Sequence, residues 1–160
     1  MTDIAQHFIN EARNYLSATY LPKIESCLES LTDEDVWRRA NSESNSIGNL
    51  LLHLNGSTRM WIMSGVGGAP DWRDRQQEFD ERAMIPRAEL LARIRQTVAE
   101  ADGVLANIDA ESLLRRRQIR GEEVTALQAI FHAVEHFSMH AGQIIMLTKM
   151  RTGKDLRLSD

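Results

Sequence analysis

The sequence is short of several features that define common protein classes. It has a single cysteine, Cys27, so it cannot form an internal disulfide, and this fits a reducing compartment. Its longest uninterrupted apolar run near the C-terminus is Ile144 to Leu147, far below the roughly 20 residues that span a bilayer. The start, MTDIAQHFINEAR, lacks the basic and apolar regions of a signal peptide. These absences predict a cytoplasmic protein with no membrane partner.

Charge of positive sign is also scarce. The formal net charge is −4, which argues against nucleic acid as the main partner. Arg115 to Arg117, with Arg120 nearby, are a local exception that is best interpreted as a solvated loop. With 160 residues, 42% of them hydrophobic, the chain is predicted to form one globular domain over residues 1–160.

Strand signals are poor and there are only three prolines, so the helical period dominates the pattern. The apolar stripes predict an all-α fold, an up-down four-helix bundle with a short extra helical turn between helices 2 and 3. The four helices are expected at Asp3 to Leu31, Ile47 to about Met63, Pro86 to about Ile108, and Thr125 to Met150. The extra helical turn is expected within Asp71 to Ile85.

Individual residues predict where these helices bend, begin and end. Pro22 should kink or split the first helix near Tyr20, because proline removes an amide donor and clashes with the preceding turn. Ser46 is a suitable N-cap for the second helix. Thr125, with Gln128 three residues later, has the spacing of a capping box. Gly153 is a suitable C-terminal stop for the fourth helix.

The charged segment after the second helix contains two aromatic residues one heptad apart, Trp72 and Phe79. A structureless loop of this length would be unusual, so we expect a helical turn that lays both aromatics over the end of the bundle. Glu78 is expected to pair with Arg75 or Arg82.

The histidines carry the clearest chemical signal. His132, His136 and His140 recur every four residues on the fourth helix, so they lie on one side of it, one turn apart. His53 falls at the edge of the apolar stripe of the second helix, where a ligand could reach a cleft between helices. In one interpretation His53, His136 and His140 bind a metal and leave a coordination position open, as catalytic sites do.

Other interpretations of the same residues remain open. His132-Ala-Val-Glu135-His136 matches the H-x-x-E-H string of inverted zinc peptidases, although the chain offers no obvious acidic ligand downstream. Single histidines on helices are usually surface or satisfied core residues, which is the preferred interpretation of His132 and His7. A di-iron carboxylate site lacks its Glu-x-x-His pairs. Cys27, beside acidic residues, is expected to be a small buried hydrophobe and not a nucleophile.

Two stretches resemble the DinB-like superfamily, the damage-inducible and YfiT-type four-helix bundles. The first is Ser46-Ile-Gly-Asn-Leu-Leu-Leu-His53-Leu, and the second is Glu135-His136-Phe-Ser-Met-His140-Ala-Gly-Gln143-Ile144, whose H-x-x-x-H-x-G-Q-I tail is the more specific string. The segment from Asp71 to Phe79, Asp-Trp-Arg-Asp-Arg-x-x-Glu-Phe, resembles one uncharacterised branch. In element order and length the resemblance spans nearly the whole chain.

The resemblance implies a function as well as a fold. It implies that His53, His136 and His140 bind a divalent metal, with zinc or nickel the favoured ions, and it leaves His132 outside the site. It implies a metal-dependent hydrolase or S-transferase that uses a low-molecular-weight thiol, and a homodimer. It identifies no catalytic base and no thiol-binding residue, so a non-catalytic metal-binding or interaction bundle stays as the alternative.

Overall fold

Long helices account for most of the chain in the computed structural model, which describes residues 2–158, with side chains from residue 4 onward. The limits of the predicted domain, Met1 and Asp160, therefore lie outside the described residues. The helices and strands, in chain order, are α1 (Thr2–Asn14), α2 (Leu21–Glu29), α3 (Asp33–Trp37), α4 (Ile47–Thr58), α5 (Arg75–Asp80), α6 (Arg87–Ala106), β1 (Arg116–Ile119), β2 (Glu122–Thr125) and α7 (Ala126–Thr152).

Two of the long helices pass through a wider π-helical stretch. Tyr15–Tyr20 joins α1 to α2, and Arg59–Val66 continues α4. The first stretch lies directly before Pro22, and the Leu21 amide donates to the Leu16 carbonyl, five residues back. The predicted disruption therefore occurs as a local widening that accommodates the proline ring without ending the helix. With these stretches included, residues 2–158 form four long helices, and the predicted all-α helical bundle is confirmed.

The caps follow the sequence. Ser46 and Thr125 each form a capping box, in which their hydroxyls accept from the amides of Asn49 and Gln128. Gly153 ends α7 in the left-handed region, at a φ of 62°.

The bundle core is apolar; its largest fully buried side chains include Ile9, Leu16, Ile24, Leu51, Leu54, Ile62, Leu90, Ile94, Leu105 and Phe137. Among the described residues, no helix combines the length and the apolar character needed to cross a membrane.

The helix directions differ from a strictly up-down order, because α4 and α6 run the same way. Their starts lie together: a Cβ on Gly48 would meet the Trp37 ring at 2.8 Å, and the Trp37 indole donates to the Ile85 carbonyl at 2.9 Å. Their ends also lie together, since a Cβ on Gly67 would sit 3.1 Å from Val104. The long connection between them must therefore return along the bundle, as crossover connections do. This return brings α5 against α4.

A β-hairpin, which was not predicted, precedes α7. β1 and β2 pair antiparallel, from Arg116 opposite Thr125 to Ile119 opposite Glu122. Arg120 and Gly121 make the turn with φ values of 56° and 81°, the positive pair that a tight two-residue hairpin needs. Ile119 is buried, and a Cβ on Gly65 would meet its Cδ1 at 2.4 Å, so the hairpin packs on the end of the second long helix.

Candidate metal centre

The three histidines predicted as ligands come together in the structure. His53 on α4 and His136 and His140 on α7 each offer a ring nitrogen, and these nitrogens lie within 4.8 Å of one another. The Nε2 atom of His136 is 3.0 Å from that of His53 and 3.2 Å from that of His140. His53 and His140 are buried, whereas His136 is half-buried, so the cluster faces solvent on the His136 side.

Hydrogen bonds fix which nitrogen of two rings carries the proton. His53 Nδ1 lies 2.9 Å from Glu78 Oε2, and His140 Nδ1 lies 2.7 Å from Gln143 Oε1. Both oxygens can only accept, so both Nδ1 atoms carry hydrogen, and in a neutral ring the Nε2 atom then presents its lone pair. A carboxylate or amide behind the ring is the arrangement that orients histidines in metal sites.

The arrangement of lone pairs fits a bound cation. His136 Nε2 faces two lone-pair nitrogens at hydrogen-bond distance, and a proton on it could satisfy only one of them. A cation shared by the three nitrogens would satisfy all of them. Metal–nitrogen bonds of about 2.0–2.1 Å, at angles of roughly 90–110°, separate ligand nitrogens by about 2.9–3.4 Å, in agreement with the two distances in the cluster.

Burial favours the neutral form of two of the imidazoles, His136 and His140. Burial, reinforced by the neighbouring histidines, lowers the pKa of His136 to about 3. Burial also lowers the pKa of His140, against a smaller opposing contribution from its bond to Gln143. Neutral imidazole is the form that binds metal, so these rings need not lose a proton before they bind an ion at neutral pH.

Glu78 reaches the cluster from α5, and its partner is not the one expected. Instead of Arg75 or Arg82, it pairs with Arg73, whose Nε and Nη2 donate to its two carboxylate oxygens at 2.7 and 2.8 Å. Burial opposes ionisation of Glu78, but the bonds from Arg73 and His53 outweigh it and lower its pKa. Arg75 instead lies over the Phe79 ring, 5.1 Å from its centroid.

The two aromatics of this segment also occupy unexpected positions. Phe79 does not cover the end of the bundle; its ring packs on His53, with centroids 4.7 Å apart. Trp72 is 79% exposed, so its predicted packing role is wrong. One sequence signal could have located the segment: Gly56, three residues after His53, leaves room on that side of α4 for a side chain from another element.

His132 stays outside the cluster, as predicted. Its ring packs against Trp61, with centroids 4.6 Å apart, and its Nδ1 lies 3.2 Å from Glu135 on the exposed surface. The H-x-x-E-H interpretation requires His132 and His136 to bind one ion together, but the group that could hold an ion contains His136 with His53 and His140. Cys27, expected to be a buried hydrophobe, is fully buried, and burial raises the pKa of its thiol.

The fold is shared with solved structures, one of them a DinB-like protein. The structure is similar to that of a DinB-like protein from Bacillus cereus, with a TM-score of 0.73 and 14% identity over 95% of each chain. It is also similar to a conserved protein from Enterococcus faecalis, with a TM-score of 0.68 and 16% identity over 96% of this chain and 98% of the other. At these identities the likeness shows the fold.

A sequence family is also established. The family model described as "Protein of unknown function (DUF1572)" matches residues 3–159, so the chain belongs to the DUF1572 family. The resemblance to the DinB-like superfamily is confirmed at the level of the fold. A comparison with curated proteins finds no match.

Proposed function

We propose that the protein is a divalent-metal-dependent enzyme in which His53, His136 and His140 hold the ion. The observation that carries the proposal is the convergence of three Nε2 atoms at 3.0 and 3.2 Å, with two of the rings oriented by hydrogen bonds from behind. An all-imidazole donor set favours zinc, nickel and related first-row ions over magnesium or calcium.

The proposed reaction class is a thiol-dependent S-transfer or a hydrolysis. Three protein ligands leave at least one position for a low-molecular-weight thiol or a water. A divalent ion there would lower the pKa of that group and so supply a nucleophile near neutral pH. The protein's own residues hold and orient: Glu78 and Gln143 fix two rings, and Phe79 shields one face of His53 from water. We assign no general base.

A pair of matched variants tests the metal site. His140→Ala removes a proposed ligand, and His132→Ala removes a histidine of the same helix that lies outside the cluster. We expect the parent and His132→Ala to bind one zinc or nickel ion per chain, and His140→Ala to lose the ion on dialysis, measured by plasma mass spectrometry. Equal stoichiometric metal in His140→Ala and the parent would contradict the proposal.

The competing proposal is a non-catalytic interaction bundle, and one surface favours it. Met139, Met146 and Met150 are 50–72% exposed and share one face of α7. Met139 and Met146 also line an open cleft of about 610 Å³.

Exposed apolar patches mark interaction sites, and we propose that this face forms a homodimer. Sedimentation should show a parent dimer that Met146→Glu converts to a monomer; a monomeric parent, or a variant that still dimerises, contradicts the dimer.

Thiol binding separates thiol-dependent S-transfer from the interaction bundle. An enzyme that uses a thiol should be stabilised by that thiol only when metal is present, because a ligand of the folded metal form raises the unfolding midpoint by mass action. We expect such a shift with at least one member of a panel of low-molecular-weight thiols, and none in His140→Ala. A metal-loaded parent that responds to none of the thiols contradicts thiol-dependent S-transfer.

A further inference from the structure

Glu78 is the acidic side chain that contacts the back of the proposed metal cluster. We propose that Glu78, held by Arg73, is a positioning residue that keeps His53 in the tautomer whose Nε2 lone pair faces the ion. The proposal rests on the metal site proposed above and adds a function for α5. Glu78 would not touch the ion itself; it would act through His53 Nδ1, 2.9 Å away.

The first support is the burial and geometry of the ion pair. The side chains of Arg73 and Glu78 are only 8% and 11% exposed, and the two planar groups meet through two parallel hydrogen bonds. A buried carboxylate is costly unless it is paired, and a two-point pair also fixes its orientation. Arg73 therefore keeps Glu78 ionised and keeps Oε2 aimed at His53.

The second support concerns the tautomer. Arg73 Nη2 lies 3.1 Å from His53 Nδ1, so in principle it could donate there and move the ring proton to Nε2. The same Nη2 is closer to Glu78 Oε2, at 2.8 Å, and that oxygen is itself 2.9 Å from Nδ1 and can only accept. The charged acceptor therefore selects the Nδ1–H form. Without Glu78, Arg73 would favour the opposite form, which cannot bind metal through Nε2.

The third support is that several residues hold the segment against α4. The Asn49 side-chain amide donates to the backbone carbonyls of Glu78 at 2.9 Å and Glu81 at 3.1 Å. Arg39 donates to the Phe79 carbonyl at 3.0 Å. These contacts fix the backbone beside the carboxylate, so Glu78 approaches His53 from a rigid position. Asn49 lies one turn before His53 on α4, so the helix that carries the proposed ligand His53 also carries the residue that positions Glu78.

The fourth support is the room that Gly56 leaves. A Cβ at this position would lie 1.8 Å from Glu78 Oε1 and 2.9 Å from Arg73 Nε. The ion pair therefore packs directly on the backbone of α4, one turn after His53. An ordinary surface ion pair needs no such close approach, whereas a carboxylate that must reach the inner nitrogen of a buried ring does.

The test compares zinc affinity in matched variants, by competition with a chromophoric chelator. Glu78→Gln removes the charge and leaves one acceptor oxygen, instead of two, for the Nε and Nη2 of Arg73 and the Nδ1–H of His53, whereas Gln143 faces only His140. Glu81→Gln removes a charge from the same segment, but its side chain caps only the amides of Arg82 and Ala83. We expect Glu78→Gln to bind zinc about 10–100-fold more weakly than the parent, as loss of an orienting partner does, and Glu81→Gln to stay within about twofold.

A double variant separates positioning from folding. Arg73→Met with Glu78→Leu replaces both buried charges by apolar groups of similar volume, which is often neutral or stabilising for the fold. The positioning role predicts that this variant unfolds at or above the parent's midpoint while its zinc affinity falls by about 10–100-fold. Long-range proton–nitrogen spectra of histidine-labelled, metal-free protein should show His53 as the Nδ1–H tautomer in the parent and as a mixture in the double variant.

The outcomes distinguish this inference from the proposed function. If His140→Ala loses zinc while Glu78→Gln and the double variant bind as tightly as the parent, the positioning role is overturned and the metal site stands. If His140→Ala binds zinc as tightly as the parent, or the parent binds none, the metal site falls and the positioning role with it.

Discussion

Gly56→Ala provides a demanding test of the packing between α5 and α4. Alanine normally stabilises a helix interior by about 1 kcal/mol relative to glycine. Here the added methyl would lie 1.8 Å from Glu78 Oε1 and 2.9 Å from Arg73 Nε, so the paired groups must shift, and we expect this shift to break their hydrogen bonds. Breaking a buried ion pair costs about 3–5 kcal/mol when one charge is left unpaired. The cost of breaking the ion pair exceeds the gain in helix propensity, so we expect the free energy of unfolding to fall by roughly 2–4 kcal/mol.

Thermal unfolding measures this difference directly. For a protein of this size about 1 kcal/mol corresponds to roughly 2–4 °C, so the midpoint of Gly56→Ala should fall by about 4–16 °C. Gly103→Ala is the matched control, because Gly103 is also helical and a Cβ there meets nothing within 4 Å. It should gain up to about 1 kcal/mol. If both variants are stabilised equally, the contact between Glu78 and α4 is wrong.

Two further predictions concern residues near and far from the cluster. Asn49→Ala removes the hydrogen bonds to the Glu78 and Glu81 carbonyls and one side of the Ser46 capping box. Urea unfolding should therefore show that the free energy of unfolding falls by about 2–4 kcal/mol, and a fall below about 1 kcal/mol would contradict the role of Asn49 in holding this segment against α4. Cys27 is fully buried and its pKa is raised, so an aromatic disulfide reagent should modify it stoichiometrically in denaturant but not in the native protein at neutral pH; rapid native labelling would contradict its burial.

The parts of the fold that were predictable depend on local sequence. A capping box needs only Thr125 and Gln128, and a helix stop needs only Gly153, so both follow from residues a few positions apart. The hairpin was missed for a local reason of its own. Its turn places Arg120, a residue that is not glycine, at a positive φ, and its strands are polar apart from Ile119 and Val124. Such polar segments have the composition of a loop, so the sequence gives no signal that would favour strands there.

The candidate site was predictable only in part, because half of its environment comes from a distant segment. Helical spacing and the family resemblance identified His53, His136 and His140, which the structure brings together. The angle count placed His53 at the edge of the buried face, but it is only 5% exposed, because Glu78 and Phe79 cover it. That cover depends on the connection after α4 returning along the bundle. Helical periodicity does not encode the path of a connection.

X-ray absorption at the zinc edge of the loaded protein tests the central claim most directly. We expect one zinc ion per chain with three imidazole nitrogens at about 2.0–2.1 Å and at least one further ligand, either a water oxygen or a thiol sulfur. Removal of His53, His136 or His140 should abolish this signal. A bound ion with carboxylate ligands and no imidazole, or a spectrum unchanged by these substitutions, would contradict the metal centre.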